Sequence, residues 1–302
     1  MRPTAAFREL LAKPGLIVAP GAYDCLSAAL IERAGFPVVY MTGAGVSLSQ
    51  LGYADLGLAT LTEMVQSATR IASTVTVPVI ADADTGYGGV LNVQRTVRMY
   101  ERSGVAAMQI EDQESPKRCG HLNEKRVISK DEMVLKIRAA VDARTDRDFV
   151  IVVRTDALAV NGWDDAIARG EAYAEAGADV LFIEAIQTKE QAAQVAQHFK
   201  VPLLYNYVET GKSPMLSTAE LGRMGFKVVI FPATAFLSAT RAVEEMLFEL
   251  RREGTTAHVL DRMSTLHEAF EVGGLSRMLA KDASYAPRDL VKRRVEQSSR
   301  QY

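Results

Sequence analysis

Eight short apolar runs, rich in valine and isoleucine, recur along the chain with longer amphipathic segments between them. Each run is apolar almost throughout, which is typical of parallel strands that are buried on both faces. Parallel strands need a long crossover connection, so a series of this kind predicts an α/β fold. The runs are Leu16–Ala19, Val38–Met41, Val79–Ala83, Ala106–Ile110, Val150–Val153, Val180–Ile183, Leu203–Tyr205 and Val228–Phe231.

Residue type marks the helix boundaries between these runs. Pairs of residues with the spacing of a capping box follow several runs, at Thr60 and Glu63, Ser129 and Glu132, and Ser217 and Glu220. Glycine accepts the left-handed conformation that ends a helix, and glycines stand directly before four runs, at Gly35, Gly104, Gly177 and Gly225. Eight strand–helix units in series predict a (β/α)8 TIM barrel. A doubly wound sheet is less favoured, because no Gly-x-Gly-x-x-Gly opens a helix.

The barrel is predicted to occupy residues 1–254, and residues 255–302 are predicted to form a C-terminal helical extension. Apolar residues recur at helical spacing over residues 264–280, a segment that a barrel does not need. Its apolar face is expected to pack on a neighbouring subunit or on its own barrel. The basic tail around residues 292–294 is expected to be mobile or to contact a partner.

Composition excludes several classes of function. The net charge of −2 provides no basic field for nucleic acid or an anionic membrane. No apolar run approaches the roughly 20 residues that span a bilayer. Two cysteines, Cys25 and Cys119, are too few for a disulfide framework, and the N-terminus lacks the apolar core of a secretory signal. We therefore expect a cytoplasmic protein that binds neither nucleic acid nor membranes.

Acidic residues stand at the ends of the third and fourth predicted strands, where barrel enzymes build their sites. Asp82, Asp84 and Glu111 form an oxygen-rich cluster there, and a hard cation would relieve its charge repulsion. Mg²⁺ takes one or two carboxylates directly and keeps several waters. We predict Asp84 as the direct ligand, with Asp82, Glu111 and Asp55 holding waters, and Mn²⁺ as a possible substitute. The alternative is that these acids cap the following helices.

The segment Lys117–His121 reads Lys-Arg-Cys-Gly-His and lies on a long connection after the fourth strand. The neighbouring cations favour the thiolate form of Cys119, so this residue can give or take a proton, or attack as a nucleophile. Zinc binding is less favoured, because Cys119 and His121 are two ligands without a second cluster. The residues predicted to act in catalysis are Tyr40, Lys117, Cys119, His121 and Glu184.

Other residues at the strand ends are predicted to bind an anionic substrate. Arg154 is the best candidate clamp, because its planar guanidinium matches a carboxylate with two hydrogen bonds. The alternative for Arg154 is an ion pair with Glu111 or Glu184, and the two roles are compatible. The predicted substrate-binding residues are Thr42, Gly43, Ala44, Gly120, Arg154, Asn206, Val208 and Pro232.

These motifs together resemble the isocitrate lyase/phosphoenolpyruvate mutase superfamily, in order from about residue 18 to residue 252. The resemblance implies a Mg²⁺-dependent barrel and a homotetramer whose C-terminal helices are exchanged between subunits. The Lys-Arg-Cys-Gly-His stretch resembles the carbon–carbon lyase branch, which implies cleavage of a small di- or tricarboxylate with Cys119 as general acid. The quoted motifs are Lys117–His121, Asp82-Ala-Asp84, Glu111-Asp-Gln113, Arg154-Thr-Asp156 and Asn206.

Two positions distinguish the activities within that branch. Tricarboxylate lyases of the family carry Ser or Thr where this chain has Val208, and an apolar side chain cannot satisfy a buried carboxylate. Oxaloacetate hydrolases carry Ser where this chain has Pro232. These departures favour cleavage of a 2-hydroxy-dicarboxylate such as 2,3-dimethylmalate to pyruvate and propionate.

Other activities stay open as alternatives. Similarity over residues 128–142 and 150–160 favours 2-methylisocitrate lyase, which gives pyruvate and succinate. Oxaloacetate hydrolysis or decarboxylation is a further alternative within the superfamily. A non-catalytic barrel that only binds its ligand is the alternative from a different class of function.

Overall fold

The computed structural model describes residues 1–120 and 122–285, so the predicted catalytic His121 and the basic tail lie outside the described residues. Within the described chain, eight parallel strands pair in chain order and close into a barrel. The predicted TIM barrel is therefore confirmed, and each predicted run overlaps its strand. The strands are β1 Ile17–Ala22, β2 Val39–Met41, β3 Val79–Asp82, β4 Ala107–Glu111, β5 Val150–Thr155, β6 Val180–Ile183, β7 Leu203–Asn206 and β8 Val228–Phe231.

Helices connect the strands and continue beyond the barrel, with a π-helical turn at Ser47–Leu51 and a 3-10 turn at Leu260–Arg262. The helices are α1 Pro3–Ala12, α2 Cys25–Arg33, α3 Gly43–Val46, α4 Leu61–Thr74, α5 Val90–Arg102, α6 Lys130–Ala143, α7 Ala157–Val160, α8 Trp163–Ala176, α9 Lys189–His198, α10 Thr218–Met224, α11 Thr234–Glu253, α12 Leu266–Val272 and α13 Leu275–Tyr285.

The helix boundaries have the local chemistry that the sequence predicts. Thr60 and Ser217 form reciprocal capping boxes at the starts of α4 and α10, and Ser129 caps α6 by accepting from the backbone N–H of Glu132. All four glycines predicted before strands have left-handed φ values, between +86° and +110°. These capping residues and glycines determine where the helices begin and end, so they also determine where the neighbouring strands can begin and end.

Apolar side chains bury the barrel sheet on both faces. Met64, Ile137 and Tyr173 belong to the layer between the strands and the surrounding helices. Phe7 of α1 packs with the side chains inside the barrel, among residues at the starts of the strands. Since α1 covers that end of the barrel, the opposite end, where the strands finish, is the end available for a site.

The chain divides into two compact units, residues 1–243 and a second unit that starts at Glu244. The division lies inside α11, and the predicted domain boundary at residue 254 stays a prediction. In the second unit, the segment with apolar residues at helical spacing over residues 264–280 contains two helices, α12 and α13. They are separated at Gly273–Gly274, where Gly274 has φ +82°.

None of the helices in the described residues combines the length and apolarity that crossing a membrane would need.

Candidate active site

A pocket at the carboxyl ends of the strands brings most of the predicted site residues together. The space among its lining residues, open solvent included, is about 520 Å³. Gly43, Asp84 and Glu111 lie beside this pocket, in contact with residues that line it. The predicted residues that line it are Tyr40, Thr42, Ala44, Asp55, Asp82, Lys117, Cys119, Gly120, Arg154, Glu184, Asn206, Val208 and Pro232.

Lys117 lies between two of the predicted acidic residues. Its Nζ donates to Asp55 Oδ1 at 2.5 Å and forms an ion pair with Asp84 Oδ1 at 2.8 Å. Burial alone would lower the pKa of Lys117, but Asp84 and Asp55 outweigh it, so the pKa lies well above its usual value. Lys117 is therefore a fixed ammonium that neutralises part of the acidic cluster.

The acidic cluster has the oxygen donors that a hard cation prefers. Burial raises the pKa of Asp84 to about 6 despite the opposing charge of Lys117, and burial raises the pKa of Asp82 as well. In the described part of the chain, Asp84 Oδ1 and Glu111 Oε1 are buried and lack a well-directed hydrogen bond. Lys117 supplies a single ammonium to Asp55 and Asp84, and a buried carboxylate oxygen without a hydrogen bond is costly unless a cation is near, so the oxygen donors fit a magnesium ion.

The same cluster does not enclose a metal with protein ligands alone. Among the described residues, no three histidine, cysteine or acidic side chains come together to hold a metal ion. Mg²⁺ commonly needs only one or two carboxylates and completes its shell with water and substrate. The arrangement is thus suited to an ion that the substrate helps to bind.

Arg154 is held among protein carboxylates at the end of β5. Its guanidinium makes two hydrogen bonds to Asp156, at 2.8 and 2.9 Å, and its Nη1 lies 3.1 Å from Glu184 Oε2. A further ion pair joins it to Glu111 at 3.4 Å. Asn206 Nδ2 also donates to Glu184 Oε2, at 3.0 Å. The predicted ion pairs with Glu111 and Glu184 are present, and Arg154 still lines the pocket.

The connection that carries Cys119 is fixed on two sides. Gln113 accepts a hydrogen bond from the Arg118 backbone N–H and donates one to the Arg118 carbonyl, at 3.0 and 2.8 Å. The Cys119 backbone N–H donates to the Asp55 carbonyl at 3.1 Å. Arg118 itself pairs with Glu124. Lys117 and Arg118, the described cations next to Cys119 in sequence, are thus engaged by carboxylates.

Tyr40 stands at the floor of the pocket. Its hydroxyl donates to Gln109 Oε1 at 2.9 Å, and burial raises the pKa of Tyr40 well above its usual value. Tyr40 therefore stays protonated, and its oxygen can accept a hydrogen bond from a substrate hydroxyl.

Several residues of the site have no counterpart among the predicted site residues. Asp156 pairs with Arg154 and Lys125, and Gln109 and Gln113 hold Tyr40 and the cysteine connection. Asp156 and Arg154 are two positions apart, so strand alternation places them on one side and could have indicated the pair. Lys125 carries no comparable sequence signal, because its partners depend on the path of an irregular connection.

The family model of phosphoenolpyruvate phosphomutase matches residues 7–251. The chain belongs to this family. 2,3-Dimethylmalate lyase from Eubacterium barkeri is a phosphomutase-family relative, 46% identical over 95% of this chain and 99% of its own. 2-Methylisocitrate lyase from Aeropyrum pernix is 45% identical over 93% of this chain and 91% of its own.

Solved structures of the phosphomutase family have the same barrel. Oxaloacetate acetylhydrolase in complex with the inhibitor 3,3-difluorooxalacetate has a TM-score of 0.90 at 42% identity, covering 94% of this chain and 97% of its own. Phosphonopyruvate hydrolase in complex with oxalate and Mg²⁺ has a TM-score of 0.86 at 33% identity, covering 94% and 99%. The predicted superfamily is confirmed by these relatives.

Val208 and Pro232, the two positions expected from the sequence to distinguish substrates, both line the pocket. Val208 follows β7 and Pro232 follows β8. The Pro232 backbone approaches Gly21 of β1 so closely that a Cβ at Gly21 would lie 2.5 Å from the Pro232 carbonyl oxygen. Val208 and Pro232 thus give the β7–β8 side an apolar surface next to the charged side formed by β3–β6.

Proposed function

We propose that the chain is a Mg²⁺-dependent carbon–carbon lyase that cleaves a 2-hydroxy-dicarboxylate such as 2,3-dimethylmalate to pyruvate and propionate. The observation that carries this proposal is a pocket that combines the buried charges of Asp82, Lys117 and Arg154 with the apolar Val208 and Pro232. Such a pocket suits a substrate with charged groups at one side and methyl groups at the other. The similarity to 2,3-dimethylmalate lyase along nearly the whole chain supports the same conclusion.

Asp84 is the proposed direct ligand of Mg²⁺ or Mn²⁺, with Asp82, Glu111 and Asp55 holding the waters. A bound cation of this kind supplies a Lewis acid that lowers the pKa of a substrate hydroxyl. The concentration of buried acidic oxygens, of which Glu111 Oε1 has no hydrogen bond among the described residues, supports this assignment. The Mg²⁺ that phosphonopyruvate hydrolase binds with oxalate also supports it.

The residues of the chain position the substrate and handle its proton. Arg154 binds a carboxylate group, Glu184 and Asn206 orient the 2-hydroxyl, and Glu184 takes its proton. The predicted amide cradle at Thr42–Ala44 is largely engaged within the protein, because the Thr42 N–H donates to the Ala22 carbonyl and the Gly43 N–H donates to Asp82 Oδ2. As that hydroxyl becomes a carbonyl, the C2–C3 bond breaks and its electron pair passes to the departing carbon as an enediolate. Nearby cations and amides stabilise this charge. The thiol of Cys119 then donates its proton to C3, which gives pyruvate and propionate.

A panel of substrates tests the proposal. With Mg²⁺ present, 2,3-dimethylmalate should release pyruvate with a higher kcat/KM than 2-methylisocitrate, isocitrate or oxaloacetate. A preference for 2-methylisocitrate would favour the second candidate, which the relative from Aeropyrum pernix supports. The absence of metal-dependent turnover with every member of the panel would favour a barrel that only binds its ligand.

We also propose a homotetramer in which the C-terminal helices are exchanged between subunits. The support is the exposed apolar surface of α12 and α13, where Leu266 is 69% and Met278 is 64% exposed. Apolar surface of this kind commonly marks an interface. Light scattering should give a particle mass of four times the chain mass of 32.9 kDa for the full chain. After deletion of residues 255–302, the particle should contain fewer than four chains. A monomeric full chain would contradict the proposal.

A further inference from the structure

Lys125 is a buried lysine on the connection between β4 and α6. Its side chain is 2% exposed, and its Nζ donates to the Gly120 carbonyl at 2.5 Å and to Asp156 Oδ1 at 2.7 Å. Burying an ammonium is costly unless it is paired and hydrogen-bonded. One acceptor lies next to Cys119 in the chain, and the other lies beside Arg154, so Lys125 connects the two.

The Asp156 end of this link belongs to a rigid part of the barrel. Asp156 makes two hydrogen bonds with Arg154, and its backbone N–H donates to Asp112 Oδ1 at 2.9 Å. Asp112 is held in turn by Thr155 and Tyr173, at 2.7 and 2.8 Å. Buried networks whose members are satisfied in this way are stiff, so Asp156 is a fixed point.

The Gly120 end of the link lies directly against the site. A Cβ on Gly120 would overlap Arg154 Nη2 and would lie 2.7 Å from Glu184 Oε2. The backbone at residue 120 therefore rests on the side chains that line the pocket. A small displacement of this backbone would move Cys119, the preceding residue, by a similar amount.

We infer that Lys125 is a positioning residue, whose ammonium holds the Gly120 carbonyl towards Asp156 and so fixes Cys119 over the pocket. The effect of Lys125 on turnover rests on the proposed function, in which Cys119 donates a proton. The anchoring of the connection does not rest on that function. A lysine that served merely to neutralise Asp156 would stabilise the fold without a selective effect on residues 119–122.

Lys125→Met tests this role, because methionine keeps the length and removes the ammonium. Hydrogen exchange at the backbone amides of Cys119 and Leu122 should become about tenfold faster or more, since a charged hydrogen bond is lost. With 2,3-dimethylmalate, kcat should fall about a hundredfold while KM changes less than about threefold, as expected when a reacting group is misplaced.

Arg126→Met is the matched control. Arg126 Nε pairs with Glu114 Oε2 at 3.0 Å on the exposed side of the same connection, where water can replace the contact. Its exchange rates and kcat should stay close to those of the wild type.

Lys125→Arg is the second test variant, because it keeps a positive charge beside Asp156 and donors for the Gly120 carbonyl. It should recover most of the amide protection and part of kcat.

Each outcome decides for or against the link. If folded Lys125→Met has wild-type exchange rates at the amides of Cys119 and Leu122, the anchoring by Lys125 is overturned. Faster exchange that is spread evenly over the barrel also overturns it. If Lys125→Met fails to fold, Lys125→Arg decides the question. Rapid exchange at the amides of Cys119 and Leu122 in folded Lys125→Arg would contradict the anchoring by Lys125. If the wild type turns over none of the panel, the proposed function fails, and the exchange measurements still decide the anchor.

Discussion

The protonation of the buried charged side chains in the pocket depends on the balance between burial and neighbouring opposite charges. Burial alone would raise the pKa of Asp156, but Arg154 and Lys125 outweigh it, so the pKa lies below its usual value. Burial raises the pKa of Glu111 well above its usual value even though Arg154 opposes the shift. The carboxylates thus differ in their readiness to accept a proton, which is what separate acid and base roles require.

Substitution of the thiol tests the role of Cys119. In Cys119→Ser, kcat for pyruvate release should fall by roughly 10²–10⁴-fold, because a hydroxyl is a far weaker acid than a thiol. Substrate binding, measured by calorimetry, should persist. Cys25→Ser is the matched control, since Cys25 is the first residue of α2, and it should keep the wild-type kcat. Near-normal turnover in Cys119→Ser would exclude the general-acid role.

Val208 tests substrate choice. Val208→Ser adds a hydroxyl that can hydrogen-bond a third carboxylate, so kcat/KM for 2-methylisocitrate should rise about tenfold, the value of one charged hydrogen bond. Val208→Ala enlarges the pocket without adding a donor and should leave the preference between the two substrates nearly unchanged. An equal gain in both variants would mean that space, and not hydrogen bonding, limits the tricarboxylate.

Among the elements, the connections after β2 and β4 do most to complete the pocket. Asp55 on the first connection holds Lys117 through its side chain and Cys119 through its carbonyl. Gly57 on the same connection lies so close that an added Cβ would be 2.9 Å from the Lys117 backbone nitrogen. The two connections are therefore packed together, and a shift of either one would alter the site.

Gly120→Ala tests this close packing. The added methyl group would displace the backbone from Arg154 and Glu184, and kcat/KM should fall about a hundredfold, because displacements near 1 Å have effects of that size. The melting temperature should change little. Gly89→Ala is the control, since Gly89 has φ −77° and a Cβ added there would have no atom within 4 Å. Wild-type activity in Gly120→Ala would show that the connection tolerates displacement.

For the folded protein, buried carboxylates link stability to pH and metal. Because burial raises the pKa of Asp84 to about 6, protonated Asp84 favours the folded state, and this contribution is lost as pH rises through about 6. Mg²⁺ binds the ionised form and stabilises the folded state. The increase in melting temperature caused by MgCl₂ should therefore be large at pH 8 and shrink as pH falls through about 6.

The control for this measurement is Asp84→Asn in the same buffers. It should lose most of the Mg²⁺-dependent stabilisation at pH 8, since the proposed direct ligand is gone. A stabilisation by Mg²⁺ that is equal at pH 5 and pH 8, or that persists in Asp84→Asn, would contradict the assignment of Asp84.

The barrel and most of the pocket residues follow from local patterns in the chain. Apolar runs, capping residues and left-handed glycines act within a few residues, so they identify strands and helix ends without a structure. In a barrel, carboxyl ends of strands meet at one end, so residues such as Asp82, Arg154 and Asn206 could be grouped from sequence alone. The break at Gly273–Gly274 leaves no mark in the apolar spacing, which continues across it.

Apart from the predicted pairs of Arg154 with Glu111 and Glu184, only the tertiary structure decided which buried charges are partners. Lys117, the first residue of the cysteine motif, pairs with Asp55 and Asp84, and Lys125 reaches back to Gly120 and across to Asp156. These pairings join positions that are distant in sequence or lie on irregular connections, where no periodic pattern indicates direction. Strand order and residue types at the pocket were therefore readable from the chain. Which charges neutralise one another, and how Cys119 is held, depended on distances that arise when the connections pack together.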